Sequence, residues 1–272
     1  MIGRNNHFDR PYTDEVIPRV EALGNGLEVK LMGTAKFKAV EYPLYYILAE
    51  SSNRRAGNVF LSAGIHGDEP AGVYALMDFL ENHVQGYIAD FSFIVFPCLN
   101  PSGFERGTRK NLNGINLNRN FQRNRSTSEV SMLMKTLETE PRHYIFAMDM
   151  HEDEPEQQVE NYPVDDNPRE AYLYEVSPKN LSRGHRILKS LEENNAPVCR
   201  KKKIYYDQAD NGLIWRDEIV DTGHQEDTTL MWYLQKYTNN VFNLETPTCW
   251  ELERRVEVQL MALKAALDIF RK

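Results

Sequence analysis

Apolar residues along this chain recur in two rhythms, and their alternation sets out an architecture. Dense apolar runs at 59–65 (VFLSAGI), 91–97 (FSFIVFP), 144–150 (YIFAMDM) and 241–245 (VFNLE) predict buried strands. Between the first two, Val73, Leu76, Met77, Leu80 and Val84 recur at helical spacing, which predicts a helix over 70–84. Further helices are predicted over 128–140, over 180–194 on Leu181, Ile187, Leu188 and Leu191, and briefly over 228–237. The clearest is the last, where Val256, Leu260, Leu263, Leu267 and Phe270 alternate spacings of four and three. Residues 27–32 and 42–49 predict an edge hairpin, and the first 27 residues a leader helix or loop packed on the body. Strand, helix and strand in succession imply right-handed crossovers, hence an α/β fold with parallel strands at the heart of its sheet. No repeat, low-complexity tract or linker interrupts the pattern, so one domain is expected over 1–272.

Three tracts break the rhythm. Residues 100–128 are dominated by Asn, Gly, Arg and Ser over a length that exceeds an ordinary connection, which predicts a functional loop at the end of the sheet. Residues 152–167 are acidic and contain Pro, and predict a surface loop. Glu152, Asp153, Glu154 and Glu156 there either attract a basic substrate or are simply solvated. The segment 204–224 reads as a loop punctuated by Tyr205, Tyr206 and Trp215.

Composition narrows the class. With 41% hydrophobic, 11% aromatic and 26% charged residues, the 272-residue chain is neither disordered nor fibrous. A net charge of -8 and a pI near 5.5 exclude a nucleic-acid or anionic-membrane surface as the main partner. Cys98, Cys199 and Cys249, an odd count without CxxC spacing, read as small buried apolar residues. No apolar leader core or membrane-length run is present in the sequence, so a cytoplasmic location is expected. Oligomeric state is left open.

The chemistry begins where the 59–65 strand gives way to the 70–84 helix, at His66 and Glu69. Side chains three apart at a helix start face the same way, so an imidazole and a carboxylate can close on one metal ion. Taken alone, the pair also suits a carboxylate favoured by the helix dipole beside a hydrogen-bonded His. His151, at the end of the 144–150 strand, supplies a third ligand and leaves a fourth position to water, the pattern of catalytic zinc. Zinc lowers the pKa of bound water to about 7. A base is then needed, and Glu245 is the candidate, at the end of an apolar strand where an ionisable group must sit at the rim or be paired. In the polar loop, Arg109 can stabilise an oxyanion, while Asn118 and Arg119 can clamp a carboxylate.

HGDE at 66–69, NPSGF at 100–104, Arg109 with Lys110, GINLNRNF at 114–121, DMH at 149–151 and LETP at 244–247 form an ordered set. Together they resemble the zinc metallocarboxypeptidases, including the succinylglutamate desuccinylase and aspartoacylase branch. The resemblance implies a mixed eight-stranded sheet flanked by helices. It also implies one Zn2+ on His66, Glu69 and His151, Glu245 as general base, Arg109 on the scissile carbonyl, and Asn118 with Arg119 on the substrate carboxylate. Asn116 stands where the family has an Asp that orients a zinc-bound His; Asn can accept the same hydrogen bond without its charge. Tyr206 matches the family's mobile substrate tyrosine, which would put Leu213 at an apolar pocket floor. Three functions stay open: a carboxypeptidase, a deacylase of small N-acyl amino acids, and a non-catalytic binder of carboxylate-terminated ligands.

Overall fold

The computed structural model describes residues 11–38, 40–122, 127–140, 142–220 and 228–271. Eight strands form one mixed sheet: β1 (Leu27–Phe37), β2 (Val40–Ala49), β3 (Gly57–Ala63), β4 (Phe91–Phe96), β5 (Tyr144–Asp153), β6 (Tyr172–Val176), β9 (Leu213–Arg216) and β10 (Val241–Pro247). Their order is β1-β2-β4-β3-β5-β10-β6-β9. The four central strands β4, β3, β5 and β10 are mutually parallel, and antiparallel pairings join β2 to β4 and β6 to β10 at either side. A separate two-stranded hairpin, β7 (Lys203–Ile204) with β8 (Asp207–Gln208), stands near the β6 end of the sheet.

Helices α1 (Tyr12–Glu15) and α2 (Ile17–Glu21) bury Tyr12, Val16 and Val20, as a packed leader requires; residues 1–10 lie outside the described residues. On one face of the sheet, α3 (Ala71–Asp78), α6 (Gly184–Glu193) and α8 (Leu252–Phe270) pack together, with α8 between the other two. Leu263, Ala266 and Leu267 of α8 are fully buried, and each Leu contributes about 1.5–3 kcal/mol by leaving water. On the other face lie α5 (Ser128–Thr139) and α7 (Leu230–Leu234), through Leu133, Leu137 and Leu230. The short α4 (Pro101–Arg106) sits against α1 and β2.

Several expectations need correction. The 70–84 helix is α-helical only to Asp78, because a π turn over Phe79–His83 follows it and buries Phe79 and Leu80. The polar tract 100–128 is not all loop: Asn100 caps α4 by accepting the Gly103 N–H at 2.9 Å, and Gly107, at φ +60°, ends that helix. The stretch from 152 does not start as a surface loop, since β5 runs through Asp153 and the Glu152 side chain is fully buried. The 204–224 segment contains β9, and β6 is a strand that the apolar pattern does not predict. A charge in the middle of YLYEV explains that miss. Glu175 is wholly buried yet satisfied, accepting from the hydroxyls of Ser177 and Ser182 and the N–H groups of Arg183 and Gly184, so it caps α6 from inside the sheet.

Candidate metal centre and active site

Three strand ends converge. β3 stops at Ala63, Gly64 turns the chain at φ +64°, a conformation a side chain resists, and residues 66–69 run into α3. β5 carries His151 at its end, and β10 places Glu245 opposite His151 in parallel register. His66, Glu69 and His151 are all buried, and their ligand atoms lie within 4.8 Å of one another. His66 Nδ1 is 2.7 Å from Glu69 Oε1, and His151 Nδ1 is 2.8 Å from Glu69 Oε2.

The donors suit a divalent metal ion. Two imidazole nitrogens and one carboxylate are a borderline-soft set that leaves room for a further ligand. His151 Nε2 is 2.7 Å from Asp149 Oδ2, which holds the proton on Nε2 and turns the Nδ1 lone pair to the centre. Ser62 in turn donates to Asp149 Oδ1 at 2.6 Å. Asp149, the first residue of DMH, is an orienting residue with no role among the sequence-based expectations. Its position two before His151, on the same strand face, was the available signal. His66 has no such partner: its Nε2 is buried without a hydrogen bond, and Asn116, expected to orient one of the zinc-bound histidines, accepts the Asn118 N–H through Oδ1 at 3.0 Å instead.

Electrostatics follow from burial and neighbours. In the metal-free protein, burial pushes His66 down to about 4. Burial also works against the His151 imidazolium, but Asp149 and Glu69 outweigh it and raise that group well above the usual histidine range. Glu69 is desolvated too, yet the two histidines hold it well below the usual carboxylate range. Glu245 moves the other way. Burial, with the charges of Glu69 and Asp153, pushes it far up against the pull of His151 and Arg109.

The polar loop delivers the arginines, and its asparagines hold the backbone that does so. Asn111 Oδ1 accepts the N–H groups of Asn113 and Ile115 while its amide donates to buried Glu129. Asn100 Nδ2 donates to the carbonyl of Arg109. Arg109 Nη1 reaches Glu69 Oε1 at 2.7 Å. Asn118 and Arg119 line the same cleft; Asn118 Oδ1 is taken by the Leu230 N–H at 2.8 Å, and Arg119 Nη1 donates to the Asn118 carbonyl at 2.7 Å.

The cleft, of about 750 Å³, is lined by all three metal-ligand candidates, Glu245, Arg109, Asn118 and Arg119. Tyr206 is not among its lining residues. Its ring is 53% exposed, with Lys203 above it, so the structure does not bring it to the centre. Tyr205 is there instead. It adopts a left-handed backbone, φ +52°, and its hydroxyl donates to Asp153 at 2.7 Å. Leu213 packs into the core against α6, and the cleft wall is formed by its neighbour Ile214. Burial pushes Asp153 up to about 6 even with the Tyr205 and Tyr172 hydroxyls as donors. Among the described residues, no Lys or Arg pairs with it.

Known proteins share this fold and a hydrolase family. Residues 55–192, about half of the chain, match the succinylglutamate desuccinylase/aspartoacylase catalytic domain. A stretch of 79 residues is 37% identical to murein peptide amidase A of Escherichia coli K12, covering 29% of this chain and only 31% of that relative. A candidate metallopeptidase from Shewanella amazonensis superposes with a TM-score of 0.75 at 21% identity, over 96% of this chain and 92% of the other. A metallo-carboxypeptidase from Pseudomonas aeruginosa, in complex with (2-guanidinoethylmercapto)succinic acid, superposes at 0.63 with 14% identity, over 96% and 68%. No helix among the described residues is long and apolar enough to cross a membrane. With the matched half running from β3 through α6 and enclosing HGDE, the polar loop and His151, the chain belongs to the succinylglutamate desuccinylase/aspartoacylase catalytic-domain family, hydrolases built on the metallocarboxypeptidase fold.

Proposed function

We propose that this protein is a zinc-dependent hydrolase that removes the C-terminal residue from a short peptide. One observation carries the reading: three converging metal-ligand candidates share a single cleft with a buried carboxylate beside His151 and with two guanidinium groups. A zinc ion on His66, Glu69 and His151 would supply Lewis acidity and a water of lowered pKa. Glu245 takes the proton of the attacking water and passes it to the departing amine. Arg109 stabilises the charge that develops on the carbonyl oxygen. Arg119 and Asn118 hold the substrate's free carboxylate. Tyr205, which lines the cleft where Tyr206 does not, is the tyrosine that meets a bound substrate in this reading.

The cleft volume falls within the roughly 300–1,000 Å³ of small-ligand sites and admits a short peptide. Asp153, buried in the cleft wall and, among the described residues, in no ion pair with a Lys or Arg, favours a terminal residue with a positively charged side chain. The guanidino ligand of the Pseudomonas relative supports the same preference. The family match supports a second reading, hydrolysis of a small N-acyl amino acid by the same residues.

The test is a mass-spectrometric turnover screen of zinc-loaded protein against mixed short peptides and N-acyl amino acids. Release of single C-terminal residues, Lys and Arg foremost, is the expected result. Chelation should abolish it and added zinc restore it. Release of acyl groups alone would move the protein to the second reading, and no turnover with zinc bound would leave a carboxylate-binding protein. In the same assay, Arg119→Met should raise KM by about 10- to 100-fold, the worth of a charge-assisted hydrogen bond, with a smaller effect on kcat. An unchanged KM would place the carboxylate elsewhere.

A further inference from the structure

Behind the centre, three elements are tied together by buried polar side chains that no step of the reaction uses. Glu152 follows His151 in β5 and is one of the residues around the cleft, but its side chain is fully buried and bonds to the helices. Its Oε2 accepts the Ala71 N–H at 2.7 Å, at the first turn of α3, two residues after Glu69. Its Oε1 accepts from Arg255 Nη1 of α8. Its own backbone N–H donates to Glu69 Oε2 at 3.2 Å. One turn along α8, on the same helix face as Arg255, Gln259 Nε2 donates to the His151 carbonyl at 2.6 Å and to the Thr246 hydroxyl, next to Glu245, at 3.0 Å.

We propose that Glu152, clamped by Arg255 and backed by Gln259, is a positioning residue that fixes the spacing between the metal ligands Glu69 and His151. This rests on the reading of His66, Glu69 and His151 as a metal site. A carboxylate buried this deeply costs free energy unless it is paired; here one partner, Ala71, lies two residues after the ligand Glu69, and the other, Arg255, belongs to α8, which packs against α3. A packing role alone would be served by apolar side chains. The bonds instead join the start of α3 to the end of β5, and the end of β5 to the end of β10. These are the places where a shift of a few tenths of an ångström would spread the ligands.

The experiment measures zinc dissociation constants by competition with a chromogenic chelator, together with the thermal midpoint of each metal-free protein. Glu152→Gln keeps the size and an acceptor for Ala71 but loses the charge. It should raise the zinc Kd about tenfold, the lower end for residues that support ligands. Arg255→Met should do the same. The double variant should weaken binding no further than either single change, because the two act as one unit. Arg255→Lys, which keeps the charge and can keep the single bond that Nη1 makes to Glu152, should recover part of the affinity and is the variant to read if Glu152→Gln does not fold. Wild-type zinc affinity in folded variants, with only the metal-free midpoint lowered, would assign Glu152 a merely structural role and overturn the proposal. A wild-type protein that binds no zinc would overturn the metal site itself, a different failure seen in a different sample.

Discussion

Glu245→Gln is expected to bind zinc as the wild type does and to lose turnover by about a thousandfold, within the range of roughly 10²–10⁴ that a positioned general base supplies. The amide matches the carboxylate in shape but cannot take a proton from water. Burial and the charges of Glu69 and Asp153 already oppose a negative charge at Glu245, so replacing the carboxylate with an amide of the same shape should cost little stability. That separates this variant from changes at His151 or Glu69, which would remove the ion as well. Zinc stoichiometry and kcat on the same preparation make the measurement. A kcat within tenfold of wild type, with full zinc, would remove Glu245 from proton transfer.

Much of this could be read from the chain because the site grows out of strand ends. A run with no polar face must be buried, so 59–65, 144–150 and 241–245 announce central strands, and the first polar residues after them land at one edge of the sheet. What stayed hidden depends on partners distant in sequence. Glu175 makes β6 look like a loop until its four donors, two of them backbone groups at the start of α6, are in view. Tyr205 and Tyr206 cannot be ranked by type or spacing. The left-handed turn at Tyr205 decides which ring enters the cleft. Arg255 and Gln259 read as ordinary polar positions of an amphipathic helix, because their partners lie 103 and 108 residues earlier. Asn116 was assigned a histidine that it does not reach, since a short loop offered it a nearer backbone N–H.

HGDE and NPSGF were separate motifs in the sequence, but in the fold they are two sides of one contact, and Gly67→Ala should be the most damaging small change in the protein. A methyl group at Gly67 would fall on the backbone of Gly103 and Phe104, well inside any real carbon contact. Overpacking in a core is usually absorbed by side chains changing rotamer, at a cost of about 1–3 kcal/mol. Here the obstruction is main chain at the start of α4, which Asn100 and the loop carrying Arg109 hold in place, so the upper figure applies. A loss of about 3 kcal/mol corresponds to a fall of roughly 6–12 °C in Tm for a chain of this size. Relief can come only by separating the two turns, and His66 and Glu69 flank the residue that must move, so zinc affinity should fall together with stability. Gly86→Ala is the control, because a methyl group there meets nothing within 4 Å. If Gly67→Ala melts within about 2 °C of that control and binds zinc equally well, a change that small in Tm being under about 1 kcal/mol, then the close approach of the two motifs does not fix the ligands.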